Sequence, residues 1–181
     1  SELFQGMDCT IIGNGNEEVA GLAFRSDEVA PGDMFFCIVG TVVDGHSFAQ
    51  DAIDRGATSL VAERKVYLAD ATDVTEVVVS DSRKAMAYAS ANYYDNPSRA
   101  FSLVGITGTN GKTTTTYLVE HIASVAGNRC GVIGTVGNKI AGVMEHAERT
   151  TPESPDLQKL FARMRDAGCT VVAMEVSSHA L

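Results

Sequence analysis

No stretch of this 181-residue chain approaches the roughly 18–20 consecutive apolar residues that cross a bilayer. The N-terminus also lacks a basic segment followed by an apolar one, so the expectation is a soluble, unexported chain with no membrane insertion. Cysteine is scarce and scattered: Cys9, Cys37, Cys130 and Cys169 form no C-x-x-C pair. That spacing disfavours a disulfide framework or a cysteine zinc site and suits reduced thiols in a cytoplasm, packed as small core residues. Internal repeats, low-complexity tracts and heptads are missing. Basic excess is missing too. Residues 1–98 hold 6 Lys/Arg against 16 Asp/Glu, and residues 99–181 hold 8 against 7. An acidic surface without a basic stripe argues against nucleic-acid binding. It leaves room for one phosphorylated small molecule held by backbone amides and a lysine.

What is present is an α/β pattern. The hydrophobic content of 45% is enough for the core of one large domain or two small ones. Short β-rich runs alternate with helical ones. The first half predicts strands at 19–24, 34–39, 59–62 and 76–79, with helices over 47–55 and 82–94. The stretch "YDNPS" (Tyr94–Ser98) then stops the second helix, because Pro97 cannot continue it and a residue before proline is pushed toward extended geometry. This boundary separates a domain at 1–98 from another at 99–181. The second half predicts a buried-type strand over 101–107, a helix over 112–126 with apolar positions Tyr117, Leu118, Ile122 and Val125, and a strand over 130–134. A turn-rich excursion through Gly137 and Gly142, a helix over 155–167 and a strand over 170–174 complete it. Strand, helix, strand, helix, strand implies right-handed crossovers and a parallel sheet.

The motif that carries chemistry is "GITGTNGKTTTT", Gly105 to Thr116. A standard P-loop asks for glycine five positions before the Gly-Lys pair, and here that position is Ile106. The parts are otherwise in order between a strand and a helix. Gly108, Thr109, Asn110 and Gly111 offer backbone N–H groups, Lys112 a compact charge, and Thr113 and Thr114 hydroxyls at a helix N-terminus. Four β-branched threonines are poor helix formers, so local propensity does not explain them. The plain alternative is a tight turn with an incidental lysine. Glu175, at the carboxyl end of an apolar strand, stands where open α/β sheets bind ligands and is the natural Mg²⁺ partner; alone it reads as an exposed strand-end glutamate.

These residues, together with "RTTPESPDLQ", "AMEVSSHAL" and "VAPGDMFFCIVGTVVDGHSFAQDAIDRGA", resemble the Mur ligase family of peptidoglycan synthesis over nearly the whole chain. The loop alone also admits folylpolyglutamate synthetase, whereas the blocks together point to the branch that adds the third stem-peptide residue. The resemblance implies a small N-terminal α/β uridine-binding domain followed by the first part of a P-loop-type ATPase domain. It implies an ATP- and Mg²⁺-dependent amide ligase, cytoplasmic, acting on UDP-N-acetylmuramoyl-dipeptide and an amino acid through an acyl phosphate. Lys112 would hold the β- and γ-phosphates, Thr113 and Glu175 would hold Mg²⁺, and Glu153 would help place a second metal or its water. Thr150, Thr151 and Ser177 would contact the muramoyl and diphosphate part. Ser26, Thr41 and His46 would line the uridine site.

Two departures matter. The family's Asp-Ser-Arg appears as Arg25-Ser26-Asp27, with the charges exchanged. The chain is also expected to stop inside the central domain, lacking the amino-acid-selecting region, inactive alone and with an unpaired sheet edge that favours association. The third amino acid and the oligomeric state stay open. A non-catalytic nucleotide-sugar module and another P-loop NTPase remain as alternatives. His46 reads equally as a helix start, and His179 as structural or as a base. His121 and His146 read as surface, and Tyr93–Tyr94 as packing.

Overall fold

A computed structural model of the chain describes residues 2–16, 18–69 and 74–178. It divides into two compact α/β units, Ser1–Tyr93 and Tyr94–Leu181, each built on its own five-stranded mixed sheet.

In the first unit β2 (Gly21–Ala23), β3 (Asp33–Phe36), β4 (Ser59–Ala62) and β5 (Thr75–Val79) run parallel. β1 (Cys9–Ile12) adds to β5 antiparallel, giving the order β1-β5-β4-β3-β2. Every residue of β3 and β4 is buried, as expected where both faces of a parallel sheet are covered. Met34, Phe36, Val61, Val77 and Val79 pack with Phe4 and with Ala85, Met86 and Ala89 of α2 (Ser82–Tyr93). The alternate positions Phe35, Cys37, Leu60 and Ala62 pack with Ala49 and Ala52 of α1 (Ala49–Asp54). The expected helix over 47–55 is therefore divided, a 3₁₀ turn at Gly45–Phe48 leading into α1. β1 escaped the sequence reading because a four-residue edge strand shows too little periodicity. α2 stops at Tyr93, and Asn96 before Pro97 is left-handed (φ 46°, ψ 55°), not extended. Asparagine tolerates that region.

The second unit orders its strands β6-β10-β7-β8-β9. β6 (Ser102–Ile106), β10 (Val171–Glu175) and β7 (Cys130–Gly134) are parallel, while β8 (Gly137–Ile140) and β9 (Val143–Glu145) continue antiparallel from β7. The parallel expectation thus holds for three strands of five. The excursion through Gly137 and Gly142 is a hairpin whose two turn residues, Ala141 and Gly142, both have positive φ. That is the type I′ requirement, disguised by alanine in place of asparagine. α4 (Ser154–Asp166) buries Leu160, Phe161 and Met164 against Ile133, Val172 and Met174. Phe161 meets Phe101 edge-to-face at 5.5 Å. Each side chain of this size contributes roughly 1.5–3 kcal/mol on burial.

The expectation of a buried strand at 101–107 fails. Among the described residues β6 pairs only with β10, and Ser102–Gly105 are exposed. α3 (Lys112–Val125) lies over β10 and β7 and barely reaches β6. Its periodic apolar residues Leu118, Ile122 and Val125 are 55%, 68% and 76% exposed, and Thr116 is its one buried residue. An apolar edge and an apolar helix stripe side by side favour association. The paired substitutions Leu103→Lys and Ile122→Lys are expected to shift the chain toward a smaller species in size-exclusion chromatography. A wild-type chain that is monomeric at all concentrations would contradict this.

Candidate functional site

Three strand ends converge in the second unit. Glu175 stands in register with Ile106, the last residue of β6, and Met174 with Ile133, so Glu175 lies opposite Gly134 at the end of β7. The loop Thr107–Gly111, Glu175 and Thr135 therefore share the carboxyl edge of the parallel strands, where α/β sheets bind ligands.

Gly111 caps α3 in the left-handed region (φ 80°, ψ 0°), and its carbonyl accepts the first helical N–H, from Thr115. No β-branched residue adopts this conformation cheaply. Gly108, Thr109, Asn110 and Thr114 are exposed and Thr113 is half-buried, leaving the helix N-terminus open to an anion. The Lys112 ammonium bends back and donates to the Gly108 carbonyl at 2.7 Å, already poised over the loop.

Glu175 is 2% exposed. One carboxylate oxygen accepts from the Thr135 N–H (3.0 Å) and the other from the Thr135 hydroxyl (3.2 Å). The same hydroxyl lies 3.1 Å from that of Thr150. A Cβ on Gly134 would stand 2.3 Å from Glu175 Oε1, so only glycine lets the carboxylate lie against the strand. Thr151 donates to the Glu175 carbonyl (2.9 Å) and accepts from the Ser177 N–H (3.0 Å). Thr150, Thr151, Ser177 and Glu175 are thus brought into one network, with the Thr151 hydroxyl engaged on both sides. Glu153 occupies the N-cap position of α4, its carboxylate paired with Arg149 at 3.2 Å. Sequence reasoning missed Gly134 and Thr135. Their signal was their place at the carboxyl end of an apolar strand, the position that drew attention to Glu175.

A magnesium site fits these residues in one respect. Mg²⁺ takes one or two carboxylates and fills its shell with waters and phosphate oxygens, and Thr135 engages two of the roughly four lone-pair directions of Glu175. No cluster of three or more His, Cys, Asp or Glu occurs among the described residues.

In the first unit Ser26, Thr41 and His46 all follow the carboxyl ends of β2 and β3. Thr41 is exposed on a tight turn closed by the Gly40 N–H to Val43 carbonyl bond. The ring of buried His46 is fully used. Nδ1 lies 2.6 Å from Asp44 Oδ1, and Nε2 accepts from the Glu63 N–H at 3.1 Å. This requires the neutral tautomer with the proton on Nδ1, so the histidine braces the loop. Arg64 beside Asp44, with the His46 backbone and ring, holds that carboxyl far below the usual range. The Ser26 hydroxyl, then Arg55, lowers Asp51. The exchanged charges of Arg25 and Asp27 pair with each other at 2.9 Å. Burial pushes the Cys37 thiol up to about 12, so it is inert. Cys130 and Cys169 are buried as well, and Cys9 is half-buried. The Tyr93 hydroxyl donates to the Ala20 carbonyl, and the Tyr94 backbone carbonyl accepts from Arg165. His121 and His146 are exposed, and His179 lies outside the described residues. A cavity of about 430 Å³ opens at the opposite end of the strands, beside Ser59, Thr75 and Tyr93. No helix among the described residues is long and apolar enough to cross a membrane.

Fold and site together define an α/β protein of two mixed-sheet units with its polar residues gathered at strand carboxyl ends. Comparison with known proteins supplies the family. Residues 18–107 match the model of the Mur ligase family, catalytic domain, and residues 106–181 that of the Mur ligase middle domain. The chain belongs to the Mur ligase family. It is 49% identical over 167 residues to the UDP-N-acetylmuramoyl-L-alanyl-D-glutamate--2,6-diaminopimelate ligase of Geobacillus thermodenitrificans, covering 92% of this chain and 33% of that protein. A solved structure of a ligase of the same name superposes with TM-score 0.72 at 25% identity, over 93% of this chain and 34% of that one. The MurF ligase of Thermotoga maritima in complex with ADP superposes with TM-score 0.54 at 23% identity, over 87% and 32%. The chain spans about a third of the length of the curated relatives it matches.

The depressed Asp44 makes a pH prediction. A carboxyl lowered in the folded state stabilises it above the ordinary value of 3.8, and this is lost as pH falls through the depressed value. The stability advantage of wild type over Asp44→Asn is expected to be constant near neutrality and to shrink below about pH 4. Denaturant titrations across pH read it, and an undiminished gap at about pH 2 would contradict it.

Proposed function

We propose that this chain supplies the nucleotide-sugar and ATP-handling part of a Mur ligase that extends UDP-N-acetylmuramoyl-L-alanyl-D-glutamate by its third amino acid. Diaminopimelate, named in the relatives, is the expected amino acid. The observation that carries the reading is the convergence of the Gly108–Thr113 helix start and the buried Glu175 on one sheet edge.

The reaction joins two anions, the peptide carboxylate and ATP, so charge neutralisation and alignment dominate its barrier. The carboxylate oxygen attacks the γ-phosphorus, the bond to the β-phosphate breaks and ADP leaves. The amine of the incoming amino acid then attacks the acyl phosphate and releases phosphate. Lys112 exchanges its Gly108 carbonyl partner for β- and γ-phosphate oxygens, and the N–H groups of Gly108–Lys112 cradle them. Thr113 and Glu175 would hold Mg²⁺, which would neutralise phosphate charge, and Glu153 would help place a second ion or its water. Thr150, Thr151 and Ser177 face the muramoyl and diphosphate part. Ser26, on the turn after β2, and Thr41, on the loop that His46 and Asp44 keep in shape, line the uridine end. The site works in a cytoplasmic setting, where ATP and UDP-sugar are both available.

Calorimetry on the chain tests this with two ligands. Lys112→Ala is expected to weaken ADP–Mg²⁺ binding about 10–100-fold, the range for a lost charge-assisted contact, and to leave UDP-N-acetylmuramoyl-dipeptide binding unchanged. Equal ADP affinity in both proteins would contradict the assignment.

A further inference from the structure

Among the described residues the Glu175 carboxylate has two hydrogen-bond donors, and both belong to Thr135. A threonine hydroxyl carries one proton, and a carboxylate only accepts. The Thr135 proton is therefore committed to Glu175 Oε2, and the 3.1 Å contact between the two hydroxyls has to be donated by Thr150. The result is a directed chain, Thr150 O–H to Thr135 Oγ1, Thr135 O–H to Glu175 Oε2. Its inner end is buried and held in place: Glu175 is 2% exposed, its carboxylate lies against β7 in the space a side chain on Gly134 would fill, and Thr151 holds the Glu175 carbonyl. Its outer end, Thr150, is only half-buried, and with its proton turned inward it offers a bound molecule lone pairs only.

We propose that Thr135 is a positioning residue that orients the Glu175 carboxylate and couples it to whatever occupies Thr150. This rests on the reading of Glu175 as a cation ligand given above. Two consequences follow from the direction of the chain. Of the muramoyl and diphosphate part that Thr150 faces, the group it meets is therefore a donor, an amide N–H or a sugar hydroxyl, and not a bare phosphate oxygen. A cation drawn to Glu175 polarises the Thr135 hydroxyl and, through it, Thr150, so the two ends respond to one another.

The test is Mn²⁺ affinity in the presence of ADP, read by electron paramagnetic resonance on the full 181-residue chain, with thermal midpoints as the folding control. Outer groups that orient a ligating carboxylate typically contribute 10–100-fold in metal affinity. Thr135→Val is expected to weaken Mn²⁺ about 10-fold, whereas Thr135→Ser, which keeps both donors, stays near wild type. Thr150→Val is expected to weaken it less, and to have no further effect when added to Thr135→Val, the non-additivity of a shared chain. The inference is overturned if Thr135→Val binds like wild type while Glu175→Gln is weakened, a result that leaves the cation reading intact. It is also overturned if Thr135→Ser falls as far as Thr135→Val, or if the Thr150 and Thr135 effects simply add. Unchanged binding in Glu175→Gln overturns the cation reading and this inference with it.

Discussion

The second unit depends on a charge placed at the end of a buried strand. Glu175 ends a run of apolar residues in the middle of the parallel strands, between β6 and β7, and a carboxylate there is costly unless hydrogen-bonded. Both of its oxygens are met by Thr135, and its backbone carbonyl is met by Thr151. These contacts tie the first residues after β7, the Thr-Thr-Pro segment before α4 and the end of β10 into one polar cluster. A buried, oriented anion beside an open helix N-terminus is an arrangement suited to a cation bridging to phosphate, and the proposed function rests on it.

The first unit uses the same plan with a different filling. Its central strands β3 and β4 are buried throughout, and its polar residues gather after the strand carboxyl ends: Ser26 after β2, Asp44 and His46 after β3, Glu63 after β4. His46 is the instructive member. A histidine after Asp-Gly that reads as a uridine contact or a helix start sits in the 3₁₀ turn as a brace, with one nitrogen toward Asp44 and the other accepting from the Glu63 backbone. In the function proposed above, contact with the uridine end then falls to Ser26 and Thr41.

Much of this was legible in the sequence. The strands at 59–62 and 130–134 appear where the apolar runs put them, and the Gly-Lys-Thr start of α3 was readable because its parts are contiguous. Burial was less legible. Leu118, Ile122 and Val125 repeat at helical spacing, yet they face solvent, because periodicity reports that a face exists and not what covers it. The hairpin at Gly137–Glu145 was hidden by an Ala-Gly turn, and β1 by its length. Thr135 was invisible for a different reason. Its role arises from the neighbouring ends of β10 and β7, 40 residues apart in sequence, and no local pattern records that proximity.

The central claim is that the loop at Gly108–Thr113 and Glu175 form one nucleotide and metal site. Paramagnetic broadening of backbone amide signals by Mn²⁺–ADP tests it most directly. The account predicts that broadening within the second unit concentrates on Gly108–Thr114, Thr135 and Glu175–Ser177. Broadening of the loop that spares Thr135 and Glu175, or of acidic surface residues in place of both, would contradict it.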